Sequence, residues 1–200
     1  MSYTGESSRR FRLLKEVVAR YPANRYEIAK SAEMPASTAY YESARLEKDG
    51  YIKIDEDGVV HPSLKGLVRY VAEFGCDRSV ILAARRRYGF DPGPGFCRLL
   101  EMLAPYESSL GDELLETLFK LVEGPRGLLN LARDKELADT IARIIAHRFP
   151  AITLAGHRGI LIADGDVWFI GYCKLCARYV VDRCKLFEEA FNYKNLSNKA

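Results

Sequence analysis

Tyr26-Glu-Ile-Ala-Lys-Ser-Ala-Glu-Met-Pro-Ala-Ser-Thr-Ala-Tyr-Tyr-Glu-Ser-Ala-Arg-Leu-Glu-Lys-Asp-Gly-Tyr-Ile52 carries two helix signals on either side of a break. Ile28, Ala29 and Ala32 fall on one side of a short helix from Arg25 to Ala32, which Asn24 can cap. Met34-Pro35 interrupts it, because proline disfavours helix in the residue before it and suits the first turn of a new one. The spacing then predicts a helix over 36–48 with Ala39, Ser43 and Leu46 inward, closed by Asp49-Gly50.

The flanks extend this pattern in both directions. Upstream, Phe11, Leu14, Val17, Val18 and Tyr21 recur at three- and four-residue steps, so a helix runs up to Pro22. Downstream, Tyr51-Ile-Lys-Ile54 alternates with period two, and Val59-Val-His61 returns after the Asp55-Glu-Asp-Gly58 turn. Pro62 stops the strand, and Ser63 caps a helix carrying Leu64, Leu67, Val68, Val71 and Phe74 as far as Gly75. Residues 8–75 therefore read helix, helix, helix, hairpin, helix.

That order resembles the winged helix-turn-helix of prokaryotic transcriptional regulators. The resemblance rests on Ile28-Ala29, Met34, Ser37-Thr38 and Ala39, then Leu46, Gly50, Tyr51-Ile52 and Leu64-Lys65-Gly66. It covers about the first third of the chain. It implies that the 36–48 helix enters the major groove of double-stranded DNA while the hairpin follows the backbone. Ser37, Thr38, Tyr41 and Arg45 are then expected on the outer face, with Tyr40 and Ala44 at its edges. Ser and Thr bond base edges or phosphates, and Arg is the commonest reader of guanine. Arg25, Lys30 and Lys53 are the expected phosphate contacts. Against this, the hairpin tip Asp55-Glu-Asp57 is acidic, and the first 75 residues carry 12 basic and 11 acidic side chains. A winged helix used as a protein-contact scaffold is the alternative reading.

Composition sets outer bounds. The 200 residues are 48% hydrophobic and 28% charged, which excludes collagen-like, low-complexity and wholly disordered classes. A net charge of +3 is too weak a balance to imply a nucleic-acid partner, so a DNA-binding surface would have to be a local one. The first ten residues contain no apolar signal core, and no apolar run approaches the ~20 residues of a membrane span. A cytoplasmic protein with no membrane partner is the expectation.

The remainder reads mainly helical, as a domain over 76–200 joined to a DNA-binding domain over 1–75. Helices are expected over 77–88, 96–104, 112–122, 134–148 and 172–191, with one hairpin over 159–171 and a polar tail beyond residue 191. That hairpin is apolar on both faces and demands cover on both. The C-terminal region is therefore the expected homodimer contact, or the wall of an effector pocket lined by Trp168 and Tyr172. Arg85-Arg86-Arg87 reads as a solvated helix face, or as further phosphate contacts if the helix lies beside the first domain.

Five cysteines at uneven spacing do not make a secreted disulfide framework, although an internal disulfide suits a hyperthermophile source. His157, Cys173, Cys176 and Cys184 are candidate zinc ligands. Cys173, Cys176, Val180, Cys184, Phe187 and Phe191 also form a continuous three/four stripe, the pattern of an apolar helix seam. No phosphate loop, dinucleotide fingerprint or nucleophile elbow is present, so neither a cofactor nor an enzymatic activity is expected.

Overall fold

The structure, a computed structural model, describes residues 4–111, 125–131, 133–148, 152–154, 156–164 and 166–183. The chain divides into two compact units: Met1–Asp91 with Cys97–Thr117, and Pro92–Phe96 with Leu118–Ala200. The expected boundary at residue 75 falls inside the first. Both units mix helix with antiparallel sheet, so the mainly helical expectation holds only in part.

In the first unit, α1 (Thr4–Arg20) buries Leu13, Leu14, Val17 and Val18 along one stripe. A two-residue strand, β1 (Ala23–Asn24), follows it and pairs antiparallel with Val59 and Val60. Asn24 also caps α2 (Arg25–Ser31): its Oδ1 accepts from the Glu27 amide at 3.0 Å, and Glu27 Oε2 accepts from the Asn24 amide at 2.9 Å. Two orphan amide donors are thus satisfied at one helix start. Helix α3 (Ala36–Lys48) begins after Pro35, and the hairpin β2 (Ile52–Ile54) and β3 (Val59–Pro62) completes a three-stranded sheet in the order β1-β3-β2. A strand of two residues carries no period, which is why the sequence reading passes from helix to helix without it.

The core of this unit joins Leu13, Leu14, Val17, Ile28, Ala29, Ala39, Leu46, Ile52 and Val60. Fully burying each large aliphatic side chain contributes roughly 1.5–3 kcal/mol. Helix α4 (Leu64–Phe74) locks onto the end of α3 through Ser63, whose Oγ donates to the Gly50 carbonyl at 2.6 Å and accepts from the Gly66 amide at 2.9 Å. Helix α5 (Arg78–Tyr88), capped by Asp77, is followed by α6 (Phe96–Leu103) and a 3-10 turn over Ala104–Ser109. A disulfide ties Cys76, just before α5, to Cys97 in α6. The 3-10 turn is held by Glu107, which accepts from Tyr51 Oη at 2.6 Å and pairs with Arg69 at 3.3 Å. Burial and this bond push the Tyr51 hydroxyl up to about 12.

Arg85 and Arg86 are exposed on α5, and both also make contacts. Arg85 pairs with Asp91, and Arg86 donates to the Tyr21 carbonyl. The Arg86 bond links α5 to the residue that follows α1, whereas the Arg85 pair lies at the surface.

The second unit departs from the expected helical domain with one hairpin. The expected hairpin is present and longer, as β5 (His157–Asp164) and β6 (Asp166–Cys173), but β4 (Ile152–Leu154) and β7 (Arg178–Arg183) flank it in a four-stranded antiparallel sheet. The expected helix over 172–191 is therefore wrong as far as residue 183. Lys174–Ala177 form a turn, with Ala177 at φ 49°, and Arg178–Arg183 is a strand. Tyr179, Val180 and Val181 are strand formers, and their preference outweighed the three/four spacing of Cys173, Cys176 and Val180, which fall in a strand, a turn and the next strand. The later part of that helix, the tail and the expected 112–122 helix lie outside the described residues.

The helix Lys135–Arg148, capped by Asp134 as expected, lies on one face of this sheet with Leu137, Ile141, Ile144 and Ile145 buried. Ile162 and Ile170 are buried beneath it. Gly159 and Gly171 face each other across β5 and β6, and a Cβ on Gly171 would stand 2.1 Å from the Arg158 carbonyl oxygen. Among the described residues, no helix is long and apolar enough to cross a membrane.

Candidate nucleic-acid interface

Helix α3 buries Ala39, Glu42, Ser43 and Leu46. The inclusion of Glu42 turns the helix relative to the expected face. Ala36, Ser37, Tyr40, Tyr41, Ala44, Glu47 and Lys48 are the exposed residues of the helix, and Thr38 and Arg45 flank them half-buried. Tyr40 and Tyr41 are 44% and 62% exposed, large for aromatic rings on a helix of this size. The phase shift has a tertiary cause: Arg10 on α1 lies 3.7 Å from Glu42 and also donates to Asp49 at 2.6 Å. A buried carboxylate is tolerated only with such a partner.

Two guanidiniums dress the stripe. The Arg25 guanidinium sits 4.7 Å from the Tyr40 ring centre, and that of Arg45 5.6 Å from the Tyr41 ring centre. Arg45 is further restrained by Glu42 at 3.8 Å. These contacts fix cationic heads beside flat aromatic faces, an arrangement suited to phosphate and to stacked or guanine-bearing surfaces. Lys30 and Lys53 are exposed, on α2 and on the hairpin respectively. Lys48, in the last turn of α3, and Tyr26, 65% exposed on α2, were not among the expected contacts. Lys48 follows Ala44 by one turn, so the stripe's own period was the signal for it.

The hairpin tip stays acidic, with Asp55, Glu56 and Asp57 all exposed, but the first of these carboxylates is tied into the fold. Asp55 accepts from the Val59 amide at 2.8 Å and lies 2.7 Å from His61 Nε2. The other ring nitrogen, Nδ1, lies 2.8 Å from the Tyr21 hydroxyl. The bond to His61 holds the Asp55 carboxyl below the usual carboxylate range. Its folded value is thus lower than its unfolded one, so it stabilises the hairpin above ~pH 4 and that contribution is lost as pH falls through the folded value. An NMR titration of the Asp55 carboxyl is expected to move up to the ordinary range in His61→Ala. An unmoved midpoint would show that the imidazole does not hold the tip. The partner sits six residues away across a turn, which no helix or strand period exposes.

Of the candidate metal ligands, Cys173 and His157 both pack against Phe169, and Cys176 does not join them in the buried cluster. Cys173 is buried with Phe169, Leu161 and Val180, and Cys176 is exposed on the β6–β7 turn. His157 is buried at the start of β5, against the Phe169 ring. Cys184 lies outside the described residues. Among the described residues, no three His, Cys, Asp or Glu side chains are grouped to hold a metal ion.

Comparison with protein-family models, with curated proteins and with solved structures finds no match for this chain.

Proposed function

We propose that the protein is a sequence-specific DNA-binding transcriptional regulator whose N-terminal unit is a winged helix-turn-helix, acting as a homodimer. The observation that carries this reading is the α3 stripe, where Ser37, Tyr40, Tyr41 and Lys48 are exposed and the guanidiniums of Arg25 and Arg45 lie against the two tyrosine rings. The α1-β1-α2-α3-β2-β3 order supports it, with a hairpin immediately after the exposed helix. In this reading α3 supplies base contacts, Arg45 among them, and Lys30, Lys48 and Lys53 meet phosphates. Two copies one helical turn apart, ~34 Å, would read a palindrome.

The test is selection from a random duplex library, followed by titration of enriched sites across salt concentration. Arg45→Ala is expected to cost about 1–3 kcal/mol and relax specificity at one position. Removing a phosphate-binding lysine lowers the log–log salt slope by about 0.9. Failure to enrich any sequence would overturn the reading.

The acidic residues Glu56 and Asp57, both exposed at the hairpin tip, favour a second reading. In it the same exposed tyrosines dock a protein, since Tyr and Arg are enriched in such contacts. Binding to a partner that Tyr41→Ala abolishes, without any DNA selectivity, would decide for it.

A further inference from the structure

Where the helix Lys135–Arg148 ends over the second unit's sheet, the surface opens into a cleft of about 530 Å³. Arg158, Tyr172 and Tyr179 are direct cross-strand neighbours on β5, β6 and β7, and they form its floor. His147 supplies the helix side, with Nε2 3.0 Å from the Tyr179 hydroxyl. Lys174 reaches in from the β6–β7 turn across Gly156, where a Cβ would stand 2.5 Å from its Cδ. Behind Tyr179, the Arg143 guanidinium lies 4.5 Å from the ring centre and is paired with Asp139.

The charge in this cleft is one-sided. Among the described residues, Arg158 and Lys174 have no carboxylate partner and no acidic side chain lines the cleft. Burial, then the guanidiniums of Arg158 and Arg143, hold the His147 imidazole below the usual histidine range. Uncompensated cations converging on a concave, partly aromatic wall make an anion site. Its volume falls within the range of small-molecule pockets and exceeds what a bare oxyanion fills.

We propose that this cleft binds a phosphomonoester of small-molecule size, with the phosphate between Arg158 and Lys174 and its organic part against Tyr172 and Tyr179. The site replaces the expected apolar effector pocket. Tyr172 does line it, whereas Trp168 lies away from it beneath the Arg183 guanidinium. The proposal is independent of whether α3 reads DNA.

The test is calorimetric titration of the full chain with phenyl phosphate and, separately, with inorganic phosphate. The expected result is one saturable site for which the two compete, with phenyl phosphate the tighter. Arg158→Ala and Lys174→Gln should each weaken binding by about tenfold, the loss of one charge-assisted hydrogen bond. Both side chains are exposed, and Lys174→Gln keeps the aliphatic stem over Gly156. Arg12→Ala, an exposed cation on α1, should leave the titration unchanged. Absence of saturable binding by either probe, or binding that survives both substitutions, would overturn the assignment.

Discussion

Gly66→Ala is expected to destabilise the N-terminal unit by about 3 kcal/mol, much of the margin a domain normally has. The added Cβ would stand 2.1 Å from the Tyr51 carbonyl oxygen and 3.1 Å from its carbon. That carbonyl is backbone, and it already accepts the Ser63 amide at 3.0 Å. It has no rotamer into which to retreat. Relief requires α4 to lift from the end of α3, which would also stretch the Ser63 bond to the Gly50 carbonyl. Leu14 Cδ1, 3.5 Å away on the other side, leaves no compensating room. Urea unfolding followed by the NMR amide signals of α3 and α4 would measure the loss. Gly111→Ala is the control, since no atom lies within 4 Å of its Cβ position, and it should fall within about 0.5 kcal/mol of the parent. Equal stability of the two variants would mean that the α3–α4 junction is looser than its geometry.

Reduction of the Cys76–Cys97 bond is expected to cost a comparable amount. The bond closes a loop with a sequence separation of 21 residues, and the chain-entropy relation for that length gives about 3 kcal/mol. For a unit of this size the loss lowers the melting temperature by more than about 10 °C. Denaturation with and without a thiol reductant would read it, and two more thiols should titrate after reduction than before. Cys97→Ser should reproduce the reduced protein, whereas Cys176→Ser, on an exposed turn, should not. An unchanged midpoint on reduction would mean that α6 is held by packing alone. The bond also bears on the expected cytoplasmic setting. Disulfides of this kind persist in oxidising compartments and in the interiors of hyperthermophiles, and elsewhere inside cells they are reduced.

Most of the N-terminal unit was legible because its signals are local. Asn24, Ser63 and Asp77 cap where capping residues should, and the 36–48 helix has the expected limits. What was not legible depends on distant partners. Glu42 reads as an ordinary surface residue until Arg10 is brought beside it from α1, and its burial then decides which residues α3 exposes. The arginines of α5 read as solvated because Tyr21 and Asp91 reach them only in the folded chain. The C-terminal error has a different origin. Cys173, Cys176 and Val180 keep a helical spacing by coincidence, while the strand signal in Arg178–Arg183 was only six residues long. Two templates fitted the same letters. Sheet pairing with β6 selected one of them.

Seen as a mechanical element, the Cys76–Cys97 bond is a short circuit in the chain. A force applied at the two termini passes from Cys76 to Cys97 across a Cα–Cα distance of 5.7 Å, and the residues between them never come under load. Those residues include all of α5 and the Pro92–Phe96 segment that belongs to the second unit. Stretching the oxidised protein to its full contour should therefore yield an extension shorter, by on the order of 70 Å, than that of the reduced one. The hidden length would be released only when a thiol reductant reaches the loaded bond.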